Sequence, residues 1–63
     1  MPVIHVYLME GRSEAQKAAL IAALTDAAVA TVDTRPEAVR VIITETPKAN
    51  YGIGGKSAKS LGR

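Results

Sequence analysis

Two apolar runs, Val3–Met9 and Val39–Glu45, flank an alanine-rich stretch from Glu14 to about Thr31, and neither run has a polar face. Side chains alternate along a strand, so Ile4, Val6 and Leu8 share one face of the first run, and Val3, His5, Tyr7 and Met9 share the other. In the second run Arg40, Ile42 and Thr44 share one face, and Val39, Val41, Ile43 and Glu45 the other. Such β-branched and apolar runs predict strands, and the lack of a polar side predicts strands covered on both faces. The stretch between them is free of Gly and Pro, which predicts a helix. Leu20, Ile21, Leu24, Ala27, Ala28 and Val32 fall on one stripe at helical spacing, with Lys17 away from its centre. Strand, helix and strand in that order form a β-α-β unit with parallel strands and a right-handed crossover. One helix shields one face of such a sheet. The other face needs cover from a second chain.

Length sharpens that requirement. The chain has 63 residues, 48% of them hydrophobic, and no cysteine, so a single domain over residues 1–63 has no disulfide or thiolate metal site to staple it. One histidine, His5, is too few for a histidine-based metal site. A small apolar chain without staples is expected to bury its surface against copies of itself. The net charge of +2 is a mild excess, and Lys56, Lys59 and Arg63 are dispersed among Gly and Ser as in a solvated tail. No basic helix face or interleaved aromatics point to nucleic acid. The opening residues lack the basic segment of a signal peptide. No stretch is expected to reach membrane-spanning length, and the expected location is cytoplasmic.

The connections carry their own signals. Glu10-Gly11-Arg12 turns the chain out of the first strand, and Ser13 with Gln16 has the spacing of a capping box. Thr34 with Glu37 repeats that spacing, and Pro36 is placed for the first position of one short helical turn. Tyr51-Gly52-Ile53-Gly54-Gly55 follows a loop, lacks the spacing of a phosphate-binding motif, and predicts a structural turn or short hairpin. Thr46 to Arg63 contains no carboxylate.

Few residues offer chemistry. Asp26 and Asp33 have no partner at metal or glycosidase spacing and read as surface charges, and His5 sits mid-strand with no triad partner. Pro2 is different. Its predecessor Met1 is expected to be removed, because the compact proline suits methionine-removing peptidases, and its nitrogen then becomes a secondary amine at the head of a strand. Ordinary α-amino groups titrate near ~8, and neighbouring cations or desolvation lower such values. A base of that kind shuttles protons near neutral pH. Arg12 leaves the strand at the glycine turn, and Arg40 interrupts an apolar strand, where a guanidinium either reaches an edge or faces an anion. Two arginines near an amine describe a site for a dicarboxylate or keto acid.

Taken in order, Pro2, Leu8-Met9-Glu10-Gly11-Arg12-Ser13, Gln16-Lys17, Val39–Glu45 and Tyr51-Gly52-Ile53-Gly54-Gly55 resemble the 4-oxalocrotonate tautomerase family across essentially the whole chain. The resemblance implies an α+β fold in which β-α-β subunits pair into a four-stranded sheet and three pairs form a hexamer. It implies enol–keto proton transfer on 2-hydroxymuconate-like acids, without cofactor or metal, in aromatic hydrocarbon breakdown. Pro2 corresponds to the general base, and Arg40 to the arginine on the keto-acid end. Arg12, from a neighbouring chain, corresponds to the arginine on the distal carboxylate. Tyr51 stands where the family often has phenylalanine and adds a phenol to the pocket. The implied partners are a small dicarboxylate or keto-acid substrate and further copies of the chain, with no nucleic acid and no membrane. Dehalogenating or hydrating relatives use a water-activating glutamate in the region after Glu45, where this chain has none, and Met9 replaces their additional arginine. A decarboxylase, or a non-catalytic subunit that lends arginines to an unlike chain, stays open on the sequence.

Overall fold

The computed structural model describes Met1–Arg63 and consists of β1 (Val3–Met9), α1 (Glu14–Val32), β2 (Arg40–Thr46), β3 (Gly52–Ile53) and β4 (Lys56–Ser57). Short 3-10 turns at Pro36–Ala38 and Lys48–Asn50 bracket β2. Strands β1 and β2 pair in parallel, with Val3 opposite Arg40 and Met9 opposite Thr46. The pair β3–β4 is a separate antiparallel hairpin, with Gly52 opposite Ser57.

The expected β-α-β unit is present, with small shifts that have local causes. Strand β2 begins at Arg40 rather than Val39, because the Val39 N–H closes the preceding turn on Pro36 O at 3.1 Å. The ladder opens with Arg40 N–H donating to Pro2 O at 3.0 Å and continues to Glu10 N–H donating to Thr46 O at 2.9 Å. Ser13 and Gln16 form the anticipated capping box at 3.1 and 2.9 Å. The second box, Thr34 with Glu37, does not form. The turn is only one helical turn long, Arg35 takes the cap position without a side-chain bond, and Pro36 holds the first helical position. Asp33 is more than a surface charge: it stops α1 in the left-handed conformation, at φ 54°.

Lys17, Leu20, Leu24, Thr25, Ala28 and Val29 of α1 are half-buried, while Ile21, Ala27 and Val32 from the expected stripe are exposed. Leu20, Leu24 and Ala28 of the expected stripe do face inward, and Lys17 joins them at its edge through a 2.8 Å ion pair with Glu45 on β2. Alanines occupy nearly every side of α1, so apolar periodicity alone does not fix its rotation. The same composition corrects a second expectation, since α1 reaches membrane-spanning length, 19 residues at mean hydropathy 1.3. Glu14, Lys17 and Asp26 lie within it, and the Lys17–Glu45 pair fastens it to the sheet.

Helix α1 covers the face carrying Ile4, Val6 and Leu8 with Val41 and Ile43, all half-buried. The opposite face is open, with Val3 63%, Tyr7 71% and Ile42 50% exposed. On it His5 Nε2 lies 2.6 Å from Thr44 Oγ1 and the imidazole stacks on Tyr7, with ring centroids 4.5 Å apart. Only Val39 and Ala58 are buried, and no large side chain is fully enclosed. The radius of gyration is 14.5 Å, against about 11 Å for a compact domain of this length. This chain is shaped as one part of a larger body.

Candidate active site

Pro2 and Arg40 meet at the head of the sheet. Parallel pairing makes them neighbours across the two strands, joined by the 3.0 Å bond from Arg40 N–H to Pro2 O. Pro2 is half-buried, and behind Met1 its nitrogen is a tertiary amide. The Arg40 side chain is exposed, and its Nη1 donates to Glu37 O at 2.6 Å and, more weakly, to Val39 O at 3.4 Å. These carbonyls tie one guanidinium nitrogen to the 3-10 turn and leave the other N–H donors of the fork free.

Arg12 lies at the other end. Strand β1 has seven residues between the two positions, and at ~3.3 Å per residue Arg12 stands roughly 20 Å from Pro2. Arg12 lines two adjoining clefts. One, of about 160 Å³, also contains Leu8, Gln16, Lys17 and Leu20. The other, of about 270 Å³, contains Glu10, Lys48 and Arg63 as well. Tyr51 follows the 3-10 turn at this same end, held by its N–H to Lys48 O at 3.4 Å and by Ala58 N–H donating to its carbonyl at 2.7 Å. It lines neither cleft. The structure therefore joins Pro2 to Arg40 and separates that pair from Arg12 and Tyr51. Within one chain the four residues form no single site.

The family profile described as "Tautomerase enzyme" matches residues 2–60. The chain belongs to the tautomerase family. This tautomerase is 48% identical over 63 residues to a 2-hydroxymuconate tautomerase from Stutzerimonas stutzeri, with all of both chains covered. An unfused 4-OT crystallised in its apo form superposes with a TM-score of 0.93 at 44% identity, covering 97% of this chain and 100% of the other. A heterohexamer 4-oxalocrotonate tautomerase from Chloroflexus aurantiacus J-10-fl superposes with a TM-score of 0.92 at 41% identity, covering 97% and 98%.

Three features of the tautomerase chain beyond the sequence expectation come from side-chain pairing. Glu10 accepts the Lys48 N–H at 3.1 Å, Lys17 pairs with Glu45, and Lys48 enters the Arg12 cleft. Glu10 and Lys48 are 38 positions apart, and no local pattern connects them. The one available signal is the lack of any carboxylate after Glu45, which leaves Lys48 with no acidic neighbour in the tail.

Proposed function

We propose that this tautomerase acts on 2-hydroxymuconate-like unsaturated keto acids, with the amine of Pro2 as general base once Met1 has been removed. The amine takes the proton from the enol hydroxyl and returns it to a carbon along the conjugated chain, so one O–H bond is exchanged for one C–H bond and the base is regenerated. Arg40 adjoins Pro2 across the strand ladder and keeps free guanidinium N–H donors, which in this reading meet the oxygen where negative charge grows as the proton leaves. The adjacency of Pro2 and Arg40 is the observation that carries this reading. The full-length likeness to a 2-hydroxymuconate tautomerase supports the substrate class.

The distal end of a dicarboxylate requires a second chain, because Arg12 lies a strand's length from Pro2 within one chain. Subunits related by a two-fold axis run their strands in opposite senses and bring the head of one sheet towards the tail of the next. Pairing into a four-stranded sheet, and three pairs into a homohexamer, supplies Arg12 and Tyr51 from neighbours and also covers the open face. The chemistry draws on side chains and one amine, without cofactor or metal, in a cytoplasmic enzyme.

The deciding experiment compares chains that begin at Pro2 with chains that carry one residue before it, each verified by intact mass. The extended chain should keep its circular dichroism spectrum and lose enol-to-keto conversion of 2-hydroxymuconate. Pro2→Ala should be milder, since a primary amine remains. Equal rates from extended and processed chains would remove Pro2 from the role of base.

A further inference from the structure

The cleft of about 270 Å³ beside β1 brings Arg12, Lys48 and Arg63 together against a wall that includes Leu8 and Met9. Glu10 is the carboxylate side chain in its lining, and its Oε1 is engaged by the backbone N–H of Lys48 rather than by a cation. The ion pairs of the chain are Lys17–Glu45 and Arg35–Glu37, so Arg12, Lys48 and Arg63 have no acidic side-chain partner. Like charges in so small a space repel, and a bound anion relieves the repulsion.

Lys48 is held more firmly than an ordinary surface lysine. It opens the 3-10 turn after β2 and is half-buried. Its N–H is donated to Glu10, and its carbonyl accepts from Tyr51 at 3.4 Å and from Lys59 at 3.2 Å. These bonds fix the main chain at Lys48 and leave the rotamers of its side chain as the ordering cost when the ammonium meets a ligand. Arg12 offers a planar fork, and Lys48 a compact point charge that approaches a carboxylate from another side.

We propose that Lys48 is a second cation for the distal carboxylate, acting with Arg12, and that it makes this tautomerase selective for dicarboxylates over monocarboxylates. Glu10 is the positioning residue that holds the Lys48 turn against the cleft. The inference rests on the assignment of Arg12 to the distal carboxylate, and the experiment separates the two. Kinetics of the processed enzyme would be measured on 2-hydroxymuconate and on 2-hydroxy-2,4-pentadienoate, which lacks the second carboxylate. Lys48→Ala should raise KM for the diacid about fivefold, the size expected of a part-exposed charge contact, with kcat unchanged. KM for the monoacid should not move, and Lys48→Arg should restore diacid binding. Lys48→Gln, which keeps the length of the side chain, guards against loss of assembly and should behave as Lys48→Ala. An equal change on both substrates, or none on either, overturns the proposal. Arg12→Ala run in parallel distinguishes the cause. If it raises the diacid KM while Lys48→Gln does not, only the Lys48 assignment falls; if neither does, the distal end has been misplaced altogether.

Discussion

Arg40 and Arg12 carry the same charge in different surroundings, and their loss should be felt in different kinetic constants. Arg40 neighbours Pro2 through the backbone ladder, with one guanidinium nitrogen tied to Glu37 O, and in the proposed reaction it meets the oxygen whose charge grows in the transition state. Arg40→Ala should lower kcat on the order of a hundredfold, as the loss of an oxyanion donor does. In the proposed site Arg12 addresses a carboxylate whose charge hardly changes, so Arg12→Ala should raise KM more than it lowers kcat. A monoacid is the control: it should ignore Arg12→Ala and still respond to Arg40→Ala. Equal sensitivity of monoacid and diacid to Arg12→Ala would reverse the ends of the pocket. Both arginines were legible in the sequence, one as a cation inside an apolar strand and one as a cation at a glycine turn. Lys48 was not, because what distinguishes it is a bond to Glu10 on a different element.

At the scale of the element, the hairpin β3–β4 decides where Tyr51 sits. Gly54 and Gly55 connect its strands with φ of 60° and 86°, the left-handed pair that a tight two-residue hairpin turn requires. A Cβ added at either would meet no atom within 4 Å, so substitution acts through the backbone and not through a clash. Gly55→Val should cost about 1–2 kcal/mol, read as a lower urea midpoint at fixed protein concentration. Gly54→Asn should be close to neutral, since asparagine tolerates the left-handed region. Equal losses for the two would mean the turn is held by something other than these dihedrals. The glycine cluster announced this turn. The rotation of α1 was less readable, because alanine on almost every side leaves the periodic signal weak.

The whole molecule, taken as one chain, is incomplete. Two buried residues and an open sheet face cannot offset the chain entropy that folding removes. Covering Ile42 or Val3, each already partly buried, is worth ~1–2 kcal/mol per side chain, and every subunit contributes several. Sedimentation of the processed protein at micromolar concentration should therefore show an oligomer, with the hexamer as the expected state. Ile42→Glu, placed on the open face, should break the assembly and abolish activity together, because the proposed site takes Arg12 and Pro2 from different chains. A folded, active monomer would defeat both the assembly and the shared site.

The order of elements, the helix cap at Ser13, the turn at Gly54-Gly55 and the presence of Pro2, Arg12 and Arg40 followed from the sequence alone. They depend on local rules: side-chain alternation, missing Gly and Pro, and residue types suited to caps and turns. Even the need for a partner was legible, since neither face of the first strand is cleanly polar and the chain has no staple. Tertiary structure decided how far apart the candidate residues lie. Pro2 and Arg40 are 38 positions apart along the chain and adjacent in space, whereas Pro2 and Arg12 are ten apart and stand roughly 20 Å from each other. Parallel pairing aligns the heads of β1 and β2, and an extended strand carries Arg12 away by its own length. The polarity of one sheet separates what the sequence sets close together.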